Sequence, residues 1–371
     1  MTLRYGIIGS GMMGQEHIRN IALLDGARVA AIADPNLPMA RAAQELAGAE
    51  ACASYLTHEE MLAAGGLDAV VIAAPNHLHL PILEDVLKTD MPVLCEKPLG
   101  LTDAECARIE SLQSRRKAPL WVAMEYRYMP AIARLIEEVG KGTAGTVQML
   151  SIREHRFPFL PKVGDWNRFN AQTGGTLVEK CCHFFDLMRL ILKSEPIRVY
   201  ASGNIDVNFL EEDYLGRKPD VIDNAYVIVD FASGARAMLD LCMFAEGSYW
   251  QEVVSATGDL ARVDARLPGP ARFNPDGEER ASQILISPRM KRDFRREDIQ
   301  IDHAIASAGD HHGSTFFQHQ RFAEMLRNGG APDVSVRDGR IAVAVGAAAE
   351  ESARTGQAVV LPQFTKESAV A

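Results

Sequence analysis

From Leu3 to about Ala123, short aliphatic runs (YGIIG, VAAIAD, DAVVIAA, PVLCE and PLWVA) are separated by longer amphipathic, helix-like segments. Strands that read as unbroken apolar runs are buried on both faces, so the pattern predicts βαβ units and a parallel sheet sandwiched by helices. After Met124 the runs lengthen: TVQMLSIREH, IRVYASGNI, NAYVIVDF, ARAMLDLCMF and EVVSATG recur after turn residues. That spacing predicts an open, mostly antiparallel sheet. Helical patterns interrupt it from about Gly175 to Leu192 and from Ser314 to Arg327, and a third runs from Gly339 to Arg354. Residues 266–312 are rich in Pro, Arg, Asp and Gly with little periodicity, which predicts a long loop. The chain thus divides into an α/β domain at 1–123 and a second α/β domain at 124–371, with the helix at about 339–354 expected to return to the first. NAYVIVDF and ARAMLDLCMF carry apolar residues on both faces, while the helices cover one. An uncovered apolar face predicts a homodimer or homotetramer unless 266–312 lies over it.

Composition narrows the classes. Of 371 residues, 47% are hydrophobic and 24% charged, which excludes a disordered or fibrous chain. A net charge of -10 opposes nucleic acid and anionic membranes as partners. No apolar run is long enough to span a bilayer, and the start MTLRYGIIGSGMMG lacks the pattern of a signal peptide. Six cysteines without CxxC spacing fit a cytoplasmic protein with reduced thiols, Cys181 and Cys182 serving packing.

The chemistry begins at Gly9-Ser10-Gly11-Met12-Met13-Gly14, a G-x-G-x-x-G directly after the first apolar run and opening an amphipathic helix. Gly9 makes the tight turn, Gly11 lets backbone approach a pyrophosphate, and Gly14 packs helix on strand. The helix N-terminus, from Met12 and Met13, presents N–H groups to phosphate. Asp34 ends the second run 20 residues after Gly14, where a carboxylate accepts from ribose hydroxyls and repels a 2′-phosphate. The expected cofactor is NAD rather than NADP.

Downstream stand Ala74-Pro75-Asn76-His77-Leu78-His79, Glu96-Lys97-Pro98, Tyr126-Arg127-Tyr128, Trp166-Asn167-Arg168 and Gly174 through Asp186. In this order, after the glycine fingerprint, they resemble the Gfo/Idh/MocA oxidoreductases, typified by glucose-fructose oxidoreductase and inositol dehydrogenase. The resemblance implies an N-terminal Rossmann domain and a C-terminal α/β domain for substrate binding and oligomerisation. It places the catalytic lysine on Lys97, sets Glu96 beside it among the cofactor residues, and suggests a cis Lys97-Pro98 peptide. The family motif L-x-D-x-G-x-H falls on Leu177, Glu179, Cys181 and His183. Here Glu179 replaces the aspartate and Cys181 the glycine, with Lys180 between.

Read as chemistry, Glu179 and His183 are i and i+4 on a helix, the spacing of a base and its orienting acid. Oxidising a secondary alcohol needs its O–H proton removed, which imidazole can do near neutral pH. Lys97 lies at the carboxyl end of a parallel strand, where its ammonium can polarise the substrate oxygen. Pro75, Asn76 and His79 either contact the nicotinamide ribose or close the turn, Asn76 as a helix cap. Arg127, Arg153, Arg156, Lys162, Trp166, Arg168, Lys180, His311, His312, Gln318 and His319 form the candidate substrate entrance. Its cations suit a polyhydroxylated or anionic sugar, or pair with Asp and Glu. Asp302, His303, Asp310, His311 and His312 lack metal-ligand spacing, so no metal is expected; they bond substrate, or Ser314 caps the next helix. The expected activity is an NAD-dependent dehydrogenase of a sugar or cyclitol. A redox glycosidase that recycles bound NAD is the alternative, and a non-catalytic NAD sensor the third reading.

Overall fold

The computed structural model describes residues 2–290 and 293–364. Six parallel strands, β1 (Leu3–Ile8), β2 (Ala27–Ala33), β3 (Ala53–Tyr55), β4 (Ala69–Ile72), β5 (Val93–Cys95) and β6 (Leu120–Val122), form a sheet in the order β3-β2-β1-β4-β5-β6. This is the doubly wound order whose switch point, between β1 and β4, marks the ligand crevice at the strands' carboxyl ends. Ile7, Ile32, Val71 and Leu94 are buried, as central strands covered on both faces require. β3 is a three-residue edge strand with little buried surface, so no apolar run announces it.

The second sheet has nine strands in the order β14-β13-β12-β11-β7-β10-β9-β8-β15. They are β7 (Val147–His155), β8 (Pro196–Asn204), β9 (Asn224–Phe231), β10 (Arg236–Cys242), β11 (Glu252–Gly258), β12 (Ala261–Leu267), β13 (Ser282–Pro288), β14 (Arg295–Ile299) and β15 (Val359–Val360). Every pairing is antiparallel except β7 with β10.

The expected loop at 266–312 instead carries β13 and β14, the short helix His303–Ala306 and the last residues of β12. Ser282, Ile284 and Ile286 alternate inward, a period of two that the surrounding charges hide. RREDI in β14 is almost wholly exposed, and its charges blunt the sheet edge.

Chain contacts define two compact units. One runs to Pro130 and takes in Pro161–Gly174 and Ile301–Val343; the other comprises Ala131–Leu160, Gly175–Gln300 and the chain from Ala344. The first sheet recruits later segments, where a single cut near 123 keeps them apart: Val122 N–H donates to Val334 O (3.2 Å), and Trp166 meets His77 edge-on (6.2 Å). The division falls inside the helix Val336–Thr355. Early in that helix, Arg340 donates to Asp103 and Glu110 (both 2.7 Å), while further along Ser352 Oγ accepts from Ala201 N–H (2.8 Å).

Candidate functional site

At the carboxyl end of β1, Gly9 has φ +90, and a Cβ there would lie 2.7 Å from the Ala74 nitrogen. At Gly14 a Cβ would stand 2.2 Å from the Gly9 oxygen, so only hydrogen fits where helix meets strand. Gly11 differs: the nearest atom to its missing Cβ is Met39 Cε at 3.6 Å, which leaves the space a pyrophosphate needs. The helix Met12–Ala22 begins there with no side-chain cap, so its first N–H groups face that space. Asp34 is buried at the end of β2. Its Oδ2 accepts from the Ser10 N–H and hydroxyl (both 2.7 Å) and its Oδ1 from Asn36 N–H (2.8 Å), which fixes the carboxylate against the glycine turn. Ser10 occupies an unconstrained x of the motif, so the sequence carries no signal for this role.

After β4, Asn76 starts a 3-10 turn without capping it, and its buried Nδ2 has no partner. An unsatisfied buried amide is costly unless a ligand completes it. With the open space at Gly11 and the uncapped helix, it fits NAD. The His79 ring is fully buried, with Nδ1 2.7 Å from Pro98 O and Nε2 3.0 Å from Ala74 O. Burial lowers the pKa of the ring, and a neutral imidazole has one N–H to donate, so it bonds one of these two carbonyls and closes the turn. Glu96 is likewise turned inward, with Oε1 3.0 Å from His17 Nε2, while Lys97 N–H donates to Oε2 (3.2 Å). The Lys97-Pro98 peptide is cis.

In the same unit His311 Nδ1 lies 2.8 Å from Glu16 and 3.6 Å from Glu125, and Thr315 Oγ1 reaches both carboxylates (2.9 and 2.5 Å). Burial opposes ionisation of Glu16, yet the charge and hydrogen bond of His311 carry its pKa below the ordinary value; burial raises that of Glu125. One acid ionised and one protonated satisfy the group, whose ligand-capable atoms lie within 4.8 Å of one another. Sequence spacing hides it, because Glu16 and Glu125 are far apart in the chain. Asp302 caps the helical turn His303–Ala306, and the helix Ser314–Asn328 starts from Gly313 without a side-chain cap, so Ser314 does not cap it. Arg127 donates to Asp333 O (2.8 Å), Lys162 Nζ lies 4.4 Å from the centre of the Trp166 ring, Arg168 is buried, and His312 has φ +52.

In the second unit the helix expected at 175–192 is two segments, Thr176–Glu179 and Cys182–Leu192. Cys181 N–H reaches back to Thr176 O (3.4 Å) and Phe184 N–H only to Cys181 O (2.9 Å), so the spiral loosens and then tightens between Glu179 and His183. Both side chains are buried. Glu350 holds the first segment: its Oε1 accepts from Leu177 N–H (2.8 Å), and it packs where any side chain at Gly175 would stand. Lys180 Nζ lies 2.9 Å from Glu154, and register sets Glu154 of β7 opposite Glu252 of β11. Burial, then Glu154, pushes Glu252 up to about 7, and burial lowers Lys180. Arg156 lies 3.6 Å from Glu154 and over the Phe157 ring, and Arg153 donates to Trp250 O (3.2 Å). These cations are engaged with protein groups, the alternative to binding an anion.

Burial also pushes Glu350 up from 4.5 to about 7. The folded chain then keeps a proton that the unfolded chain releases above 4.5, so this contribution to stability is complete below 4.5 and lost as pH rises through about 7. Glu350→Gln keeps an acceptor for Leu177 and removes the titration. Melting curves should show the variant equal to the parent near pH 4.5 and more stable at pH 8; an unchanged pH dependence would contradict the assignment.

Two family profiles cover most of the chain: "oxidoreductase family, NAD-binding Rossmann fold" matches residues 3–124 and "oxidoreductase family, C-terminal alpha/beta domain" matches 136–361. The chain belongs to the Gfo/Idh/MocA oxidoreductase family. As a member it is an NAD-binding oxidoreductase, with its glycine turn and Asp34 in the Rossmann part. Its relatives include the rhizopine catabolism protein MocA of Rhizobium meliloti, 30% identical over 74% of this chain and 80% of that one. Myo-inositol 2-dehydrogenase of Thermotoga maritima is 26% identical over 97% of this chain and 99% of that one. The fold is that of levoglucosan dehydrogenase in complex with NADH, with TM-score 0.82 and 20% identity, covering 98% of this chain and 100% of that one. Among the described residues of this family member, no helix is long and apolar enough to cross a membrane.

Proposed function

We propose that the protein is an NAD-dependent dehydrogenase of a cyclitol or closely related polyol. The observation that carries this is the end-to-end likeness to a myo-inositol 2-dehydrogenase, beside Lys97 just after β5 and His183 on the helix Cys182–Leu192. NAD, held at the glycine turn, would supply the hydride acceptor. His183 takes the hydroxyl proton, Glu179 orients the imidazole, and the Lys97 ammonium lowers the pKa of the alcohol. The glycine turn, Pro75 and Asn76 hold the dinucleotide, with Asp34 at the adenosine ribose. Because Glu154 engages both Lys180 and Arg156, an uncharged polyol is favoured over an anionic sugar. Trp166, Arg127, Arg168, His311 and His312 remain candidates for the rim of the substrate site. A panel of cyclitols, neutral sugars and sugar acids assayed with NAD, with products identified by mass, tests it: neutral cyclitols should turn over fastest, and a preference for sugar acids would reject the substrate class.

The second sheet supports a proposal on assembly. Val227 and Val229 point inward from β9, whereas Tyr226 and Ile228 point outward and are 64% and 49% exposed. Register aligns Ile228 with Tyr200 on β8 and Met238 on β10, which makes an apolar row across three strands. We infer that a second copy covers this face. Sedimentation equilibrium at micromolar concentration should give a dimer or tetramer, and Ile228→Lys should shift it to monomer; a monomeric parent protein would overturn the inference.

A further inference from the structure

Three buried ionisable side chains outside the proposed chemistry converge beneath the Glu96-Lys97-Pro98 turn. Glu96 follows β5, His17 lies on the helix Met12–Ala22, and His319 lies on the helix Ser314–Asn328. All three are buried, His17 and His319 fully. Glu96 Oε1 is 3.0 Å from His17 Nε2, and His17 Nδ1 is 2.8 Å from His319 Nε2. His319 Nδ1 has no partner, and the Tyr5 ring packs edge-on against the imidazole (5.9 Å).

The hydrogens can be placed by counting. Burial holds the pKa of His319 well below the ordinary value, so His319 is neutral and carries one N–H. If that N–H sat on Nδ1 it would be a buried donor with no acceptor. On Nε2 it donates to His17 Nδ1, and only a bare lone pair is left over, the cheaper arrangement. His17 Nδ1 is then an acceptor, and its Nε2–H donates to Glu96. The polarity runs one way, from His319 through His17 to the carboxylate.

The end of this chain adjoins Lys97. Burial opposes the charge on Glu96, the hydrogen bond from His17 acts against that, and the Lys97 ammonium also acts on it. A buried carboxylate that loses its donor must find another, and the ammonium one residue along is at hand. We propose that His17 and His319 are positioning residues for Lys97: they hold the Glu96 carboxylate so that the ammonium is directed at the substrate oxygen rather than drawn back to Glu96. This rests on the reading of Lys97 under Proposed function.

The test compares Lys97→Ala, His17→Leu and His17→Gln with the parent enzyme in kcat and KM for the best cyclitol, NAD affinity by titration, and melting temperature. The glutamine amide can donate to Glu96 and accept from His319 as a neutral imidazole does. His17→Leu should lower kcat by about 10- to 100-fold, the scale of a misplaced catalytic group, with KM and NAD affinity little changed. His17→Gln should recover most of the loss at a similar melting temperature. An active Lys97→Ala enzyme would sink the reading of Lys97 itself. With that variant inactive, wild-type kcat in His17→Leu, or a loss that glutamine does not repair, overturns the relay alone. Should His17→Leu fail to fold, nitrogen NMR of the parent decides: the relay requires a proton on His17 Nε2 and none on Nδ1, and the reverse tautomer overturns it.

Discussion

Lys97→Ala and His183→Ala are each expected to lower kcat by about 10²- to 10⁴-fold, the ordinary range for a positioned base or an electrostatic stabiliser. Affinity for NAD should stay near the parent value, because both groups act on the substrate alcohol and not on the dinucleotide. Steady-state kinetics beside a cofactor titration separates the two effects. Glu179→Gln should be milder, since it keeps a hydrogen-bonding group while losing the charge that favours protonated imidazole. A variant of Lys97 or His183 that retained the parent kcat would remove that residue from the proposed chemistry.

The second large effect is at the glycine turn, where two glycines of one motif should fail differently. In Gly14→Ala the new methyl would stand 2.2 Å from the Gly9 carbonyl oxygen, so helix and strand must separate. Loss of NAD binding should then come with a marked fall in melting temperature. In Gly11→Ala the nearest atom is a methionine methyl at 3.6 Å, so the fold should tolerate the change while the methyl occupies space intended for the pyrophosphate. The expected result is a melting temperature near the parent's without cofactor and NAD affinity at least tenfold weaker, a loss of about 1.4 kcal/mol. Titration of both variants, beside melting curves without cofactor, checks this; undiminished NAD affinity in Gly11→Ala would contradict placing the pyrophosphate at that turn.

What the sequence reveals and what it hides have physical causes. Apolar runs such as VAAIAD and NAYVIVDF mark strands because burial of one or both faces dictates their composition, and the glycine turn is legible because steric limits leave no other residue. β3 and β14 are edge strands whose exposed residues need not be apolar, so hydropathy passes over them. The break between Glu179 and His183 is a matter of hydrogen-bond pattern within a sequence that still reads as one helix. Side-chain clusters were the least legible. The Glu16–Glu125–His311 group, the facing Glu154 and Glu252, and the Glu96–His17–His319 chain join residues from distant segments, and only the fold brings them together. His79 and Glu96 stand beside cofactor motifs, and the fold adds what the motifs do not show: hydrogen bonds of both side chains within the protein.

Isotope tracing tests net hydride transfer from a polyol carbon to NAD. A cyclitol deuterated at its carbinol carbons is incubated with the enzyme and excess NAD, and both the cofactor and the sugar product are weighed by mass spectrometry. Deuterium should appear in NADH in step with a ketone that has lost it. Retention of the label in the sugar with no NADH accumulating, while a glycoside substrate releases its aglycone, would contradict it and identify a redox glycosidase instead.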